Sequence, residues 1–188
     1  MNKKFYFYFF GIFVLIISFF FDKSVTSFFV NNKFKILDKI FIFIHYTEVY
    51  LLFFLVLFFL IIFKQKDKIV PLMLTFILFI FFTQAIKMIV ARPRPFSEFD
   101  FDNLEIKDVN RSFPSGHTAA TSSTLKFFEF NRLFFWLWIL FIILVSFSRI
   151  YLGMHYLSDV IFGIILGYGI SELSIFLSKR YNLNNFLN

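Results

Sequence analysis

Apolar runs of bilayer length dominate this chain: Phe5 to Phe21, Tyr46 to Phe63, Ile69 to Val90, Leu133 to Phe147 and Leu157 to Leu177. A bilayer helix needs about 20 predominantly apolar residues, and with 59% hydrophobic residues, 36 of them phenylalanine, and a mean hydropathy of +0.77, a soluble protein is excluded. At 188 residues the chain is expected to form one membrane-embedded domain over residues 1–188, with no room for a regulatory module. The absence of cysteine excludes disulfides, thiolate chemistry and cysteine-ligated metal. The formal charge of +7 is scattered between apolar runs rather than gathered in a soluble basic patch, so membrane lipids, not nucleic acid, are the expected partner.

The first run follows Lys3 and Lys4, as in a signal sequence, but continues into Asp22-Lys23-Ser24 without a small-residue cleavage site, so it reads as an uncleaved span. From Ser24 to Ile44, Phe28, Phe29, Phe34, Ile36, Leu37 and Ile40 interleave with Asn31, Asn32, Lys33, Lys35, Asp38 and Lys39, which predicts a short interfacial amphipathic helix. Lys64 to Lys68 is a charged turn. His117 to Lys126, HTAATSSTLK, is too polar to face lipid, and its small and hydroxyl side chains suit a short helix buried at the centre of a bundle. The expectation is an all-α, integral-membrane six-helix bundle with the interfacial helix between its first two spans.

Six spans put both termini on one side. With the termini and the 64–68 and 126–132 loops inside, nine Lys and Arg lie inside and ten outside. Three of those ten, Lys87, Arg94 and Arg149, would serve a binding site whatever the topology. The remaining nine against seven predicts cytoplasmic termini in the cytoplasmic (inner) membrane. The same alternation brings the ends of spans three and five and the starts of spans four and six to the extracytoplasmic face.

Three clusters therefore meet there, and ionisable groups among apolar spans persist only when they face one another or water. Lys87 and Arg94 are seven residues apart, about two helical turns, with Pro93 and Pro95 expected to end the helix. A planar guanidinium and a compact ammonium suit a phosphate dianion, although the pair alone also fits snorkelling at an interface. Pro114-Ser115-Gly116-His117 opens the polar helix, placing the N–H groups of Ser115, Gly116 and His117 where helix N-termini bind anions. A plain turn explains the Pro, Ser and Gly, whereas His117 suits a general acid. His155 and Asp159 share a helix face four residues apart. A carboxylate bonded to one ring nitrogen leaves the other to attack, unless the pair is simply a structural hydrogen bond. Arg149 supplies a third cation.

Written out, Lys87-x6-Arg94-Pro95, Pro114-Ser115-Gly116-His117 and Ser148-Arg149-x5-His155-x3-Asp159 resemble the three-part signature of the type 2 phosphatidic acid phosphatase superfamily. The resemblance covers residues 87–159 and fills every signature position. It implies a phosphatase acting on lipid phosphates without cofactor or metal. His155 accepts the phosphoryl group as a phosphohistidine, Asp159 orients it, and His117 protonates the leaving group. Lys87, Arg94, Ser115, Gly116 and Arg149 hold the phosphate oxygens. Members of this superfamily act on undecaprenyl pyrophosphate, phosphatidylglycerol phosphate, phosphatidic acid or lipid A phosphates. The fourth span is shorter here than the family leads one to expect.

A phosphotransferase with another lipid or sugar as acceptor, and an anion-binding transporter or scaffold, are the competing expectations. The histidine pair argues against the latter. The acidic stretch Glu98 to Asp108 reads as a solvated loop: an EF-hand starting at Asp100 would have Glu105 where Gly is needed and Arg111 where Glu is needed. His45 and Glu48 read as interfacial residues. Nothing in the sequence selects an oligomeric state.

Overall fold

The computed structural model describes residues 3–99 and 111–183, with the side chains of residues 3–4 and 45–50 left out. The acidic stretch from Asp100 to Asp108 and the side chains of His45 and Glu48 thus lie outside the described residues. Helices make up the regular structure: α1 (Lys3–Asn31), α2 (Lys35–Ile62), α3 (Ile69–Val90), the single turn α4 (Pro95–Glu98), α5 (Gly116–Thr124), α6 (Arg132–Tyr151) and α7 (Leu157–Arg180). The 3-10 turns Lys66–Lys68 and Leu125–Phe128 precede α3 and follow α5. Four segments, Phe5–Asn31, Lys66–Glu98, Arg132–Tyr151 and Leu157–Arg180, are long and apolar enough to cross a bilayer, and Leu51–Ile62 adds a shorter apolar helix. The chain is a multi-pass membrane protein.

The separate interfacial helix expected over 24–44 does not form. Neither Gly nor Pro occurs from Ile12 to Val70, so nothing ends the first helix at the polar residues after Phe21. It runs on to Asn31, where the Asn32 side chain donates to the Phe28 carbonyl at 2.8 Å. Extended backbone at Phe34 (φ −122°, ψ 114°) then starts α2. Tyr151 pins this joint, its hydroxyl accepting from the Phe34 N–H at 2.7 Å and donating to the Phe34 carbonyl at 3.2 Å. The polar residues that gave the segment its interfacial look, Asn31, Asn32, Lys33, Lys35, Asp38 and Lys39, stay exposed or half-buried around this joint, while Asp22 and Thr26, earlier on α1, are buried.

As expected, α5 lies at the centre. It packs against α2, α3, α6 and above all α7, and every residue from Thr118 to Thr124 is buried. Three of its hydroxyls bond within the helix, Thr121 donating to the His117 carbonyl at 2.9 Å, Ser123 to Ala120 at 2.8 Å and Thr124 to Thr121 at 2.8 Å, whereas the buried Ser122 hydroxyl has no partner among the described residues. The Trp138 indole donates to the Thr124 hydroxyl at 3.0 Å. Nine α-helical residues and a four-residue 3-10 turn reach only about 20 Å, less than the hydrocarbon thickness of about 30 Å. At its far end Lys126 Nζ meets Glu172 Oε1 of α7 at 2.6 Å, both side chains largely buried, so the short helix ends in a neutralised pair.

Two glycines let α5 and α7 touch. A Cβ on Gly163 would sit 2.9 Å from the Ser115 carbonyl oxygen; one on Gly167 would collide with the Ala119 carbonyl oxygen and lie 2.8 Å from Ser123 N. Gly169, also on α7, faces α1 instead, with Tyr8 Oη at an ordinary 3.5 Å. Gly167→Ala should therefore cost about 1–3 kcal/mol through overpacking and lower the thermal unfolding midpoint in detergent, while Gly169→Ala leaves it unchanged. Equal midpoints for the two variants would remove the α5–α7 contact as the limiting one.

Candidate active site

Three chain breaks carry the signature residues to one end of the bundle. The first closes α3, whose cap Ala91 adopts the left-handed conformation (φ 51°). Its N–H returns to the Lys87 carbonyl at 3.1 Å, which also accepts from Arg111 Nη1 at 3.0 Å. The helix ends at Val90, so Lys87 and Arg94 do not share a helix face. Arg94 is extended (φ −84°, ψ 153°) and 5% exposed, and its Nη1 donates to the Met154 carbonyl at 3.2 Å.

Residues 111–115 form the second break. Ser112 N–H donates to the Arg92 carbonyl at 2.8 Å, and Ser115 N–H to the Asp159 carbonyl at 3.1 Å. Of the three N–H groups expected to face an anion, that of Ser115 is thus committed to the protein. Its hydroxyl, fully buried, pairs with Thr118 Oγ1 at 3.0 Å. The first-turn N–H groups of a helix have no intrahelical acceptor, and here they belong to Gly116 and His117. Among the described residues nothing beyond its chain neighbours and its own helix backbone lies within 4 Å of where a Gly116 Cβ would be, so a ligand oxygen has room beside that backbone. His117 in the same turn is partly exposed.

The third break joins α6 to α7. Arg149 is fully buried, its Nε donating to Ser148 Oγ at 3.0 Å and its carbonyl accepting from the N–H groups of Met154 at 3.1 Å and His155 at 3.3 Å. That turn requires Gly153 at φ 68°, a conformation cheap only for glycine. His155, 2% exposed, is held through Nδ1 by the Ser112 carbonyl oxygen at 2.6 Å. A carbonyl only accepts, so Nδ1 carries the proton and Nε2 keeps its lone pair. Burial, then the positive charges of Arg94, Lys87 and Arg149, push the imidazole well below its ordinary range. The neutral imidazole is thus favoured by burial and by the three cations that act on it.

The carboxylate expected to bond that ring does not. Asp159 Oδ2 lies 3.7 Å from His155 Nδ1, beyond hydrogen-bond reach. It accepts instead from Tyr156 N–H at 2.8 Å, closing a capping box at the start of α7, because the Ser112 carbonyl already occupies Nδ1. Its Oδ1 pairs with Arg92 Nη1 at 2.8 Å, and Arg92 Nη2 meets Asp22 Oδ2 of α1 at 2.7 Å. Arg92 and Asp22 escaped sequence reasoning, although one signal was present: a carboxylate at the end of an apolar run must find a cation. Among the described residues no group of three or more His, Asp or Glu side chains is gathered that could hold a metal ion.

This assembly has counterparts. The family model for the PAP2 superfamily matches residues 68–182. An undecaprenyl-diphosphatase of Sulfolobus acidocaldarius is 39% identical over 126 residues, covering 62% of this chain and 58% of that protein. The bacitracin transport permease protein BcrC of Bacillus licheniformis is 36% identical over 85 residues, covering 44% and 41%. The chain thus spans little more than half the length of the first relative and less of the second. Among solved structures, LpxE of Aquifex aeolicus superposes with a TM-score of 0.71 at 27% identity, covering 82% of this chain and 94% of that one. A PAP2-type phosphatidylglycerolphosphate phosphatase of Bacillus subtilis shares the fold with a TM-score of 0.67 at 22% identity, covering 90% and 94%. With the family model matching residues 68–182, a stretch that contains all three clusters, this chain belongs to the PAP2 superfamily, the type 2 phosphatidic acid phosphatases.

Proposed function

We propose that the chain, acting as one domain, is a phosphatase that removes a terminal phosphate from a membrane lipid phosphate or diphosphate through His155. One observation carries this reading: the Ser112 carbonyl fixes the Nδ1–H tautomer at 2.6 Å, leaving a neutral Nε2 lone pair among Lys87, Arg94 and Arg149. Nε2 attacks phosphorus, the bond from phosphorus to the leaving oxygen breaks, and His117 gives that oxygen its proton. Water then attacks the phosphohistidine, His117 takes back a proton, and inorganic phosphate leaves. The three cations and the N-terminus of α5 hold the phosphoryl oxygens as charge develops.

A lipid substrate suits the surroundings. Phe113, in the second break, lies tilted against Phe162 of α7 with ring centroids 4.7 Å apart. Phe162 in turn lines an apolar groove with Phe82, Leu166 and Leu173 that fits a hydrocarbon tail. The archaeal relative's name makes a polyprenyl diphosphate the first substrate to test. The permease name of the bacterial relative would suit an anion carrier, but a carrier needs neither a tautomer-locked histidine nor an acid beside it.

His155→Ala should abolish turnover of every substrate, and the acid-labile phosphate trapped on wild-type protein from labelled substrate should never appear on it. His117→Ala should lose about 10²- to 10⁴-fold with an alkyl leaving group and much less with p-nitrophenyl phosphate. Substantial activity in His155→Ala, or label on His117, would overturn these roles. Because the His155 pKa is lowered, its neutral form persists as pH falls through the ordinary value of about 6.5. The acid limb of kcat/KM should therefore lie below that value, and Lys87→Gln should move it upward.

The reading also places the site at the outer face of the cytoplasmic membrane with both termini inside, so substrate enters from the outer leaflet. Reporter fusions at Asp67 and Ser97 should give cytoplasmic and external signals respectively; matching or reversed signals reject that orientation.

A further inference from the structure

Arg92 lies outside the signature, yet its side chain touches several of the elements that hold His155. Its guanidinium spans two carboxylates from different helices: Nη1 to Asp159 Oδ1 of α7 at 2.8 Å and Nη2 to Asp22 Oδ2 of α1 at 2.7 Å. Nη1 also donates to Ser158 Oγ at 2.7 Å, and the guanidinium lies 3.9 Å over the Tyr156 ring. Asp22 holds the same corner of α7 from the other side, accepting from Ser158 N–H at 2.8 Å and from its hydroxyl at 2.5 Å. Two routes lead from Arg92 to the imidazole. Its carbonyl accepts from Ser112 N–H at 2.8 Å, and Ser112 holds His155 Nδ1. Its side chain fixes Asp159, which accepts from Tyr156 N–H and stands 3.7 Å from the same Nδ1.

We propose that Arg92, clamped by Asp22, is a positioning residue that anchors Asp159 and screens its negative charge from the His155 imidazole. The proposal rests on His155 being the nucleophile. An attacking imidazole must be neutral, yet a buried carboxylate 3.7 Å from Nδ1 favours the protonated ring. A guanidinium on the other carboxylate oxygen offsets that pull without displacing the carboxylate, and its planar fork reaches Asp22 at the same time in a fixed geometry that a lysine's point charge does not impose. Asp22 keeps the fork in place and leaves the trio one negative charge. The charges that act on His155 are those of Lys87 on α3, Arg94 after it and Arg149 on α6, with Asp159 of α7 3.7 Å away and Arg92 and Asp22 behind that carboxylate. Arg92 is the one among them that directly bonds Asp159 in the described contacts.

The test is the pH profile of kcat and kcat/KM for p-nitrophenyl phosphate, using full-length protein purified in detergent and checked for folding by size exclusion and thermal unfolding. The substrate's own titration is common to all variants, so a shift between profiles reports on the protein. Arg92→Gln should lower kcat about 10- to 100-fold, as expected when the outer partner of a site ligand is lost, with little change in KM. Its acid limb should rise by about one pH unit, as an unscreened carboxylate requires. Arg92→Lys should restore the acid limb but only part of kcat, because a compact ammonium on a shorter side chain does not reproduce the fixed fork on both carboxylates. Asp22→Asn leaves Arg92 on Asp159 and should shift the limb downward or not at all. Folded Arg92→Gln protein with a wild-type acid limb overturns the proposal, since a merely structural residue would lower the folded fraction and leave the profile alone. Should Arg92→Gln not fold, wild-type kcat in Arg92→Lys, or an upward shift in Asp22→Asn, overturns it equally. Activity in His155→Ala would refute the nucleophile assignment itself; an inactive His155→Ala beside an unmoved limb refutes only the role of Arg92.

Discussion

A charge among apolar helices must be met by another charge or by water, because the bilayer offers it nothing else, and that requirement shapes one whole end of this molecule. Asp22 sits near the middle of a 29-residue helix whose other faces are phenylalanine and isoleucine. It is buried only because Arg92 and Ser158 receive it. The pairing draws α1 against the start of α7, and Asp159 on the same guanidinium fixes where that start is. The loop from Leu152 to Tyr156 then has little freedom: Gly153 turns it, the Arg149 carbonyl holds two of its N–H groups, and the Ser112 carbonyl takes the imidazole. Breaking a buried ion pair by removing one partner costs more than the pair itself contributes. The network thus sets position more than it adds stability.

The second constraint is the depth of the anion site. A full-length central helix would carry its N-terminus to the surface of the bundle, but α5 has nine residues and is fixed along α7 by close approach at Gly163 and Gly167. Those contacts set its height through the Ser115, Ala119 and Ser123 backbone, and the Lys126–Glu172 pair closes its other end. The dipole of α5 therefore points at the same volume as Lys87, Arg94 and Arg149, where partial exclusion of water makes each charge count for more.

Much of this was legible in the chain. Ile69 to Val90 and Leu157 onward matched their helices because Pro, charge and Tyr-Leu-Ser-Asp capping mark their ends. The polar stretch after His117 was placed at the centre because lipid could not accept it. The signature residues themselves came to one end as the span alternation required, with His155, Arg149 and Arg94 buried. What failed to show was which atoms pair. The i, i+4 spacing of His155 and Asp159 admits a hydrogen bond, but a backbone carbonyl 43 residues away in sequence won the nitrogen, and no periodicity encodes that. The interfacial helix fails for a different reason: the polar residues from Asn31 to Lys39 are exposed or half-buried, but with neither Gly nor Pro from Ile12 to Val70 they flank a joint between two long helices rather than forming a helix of their own.

The use of a carbonyl rather than a carboxylate on Nδ1 has a chemical consequence of its own. A carboxylate in direct contact would raise the basicity of the ring and, amid water-poor surroundings, invite protonation that silences it. A neutral carbonyl fixes the same tautomer with far less effect on charge, so the three surrounding cations keep the imidazole deprotonated while leaving it oriented. In the proposed mechanism Asp159, one step back and shared with Arg92, would favour the positive ring that forms once phosphorus binds Nε2. The ring would then be neutral before attack and stabilised as a cation after it, the differential stabilisation on which rate acceleration depends.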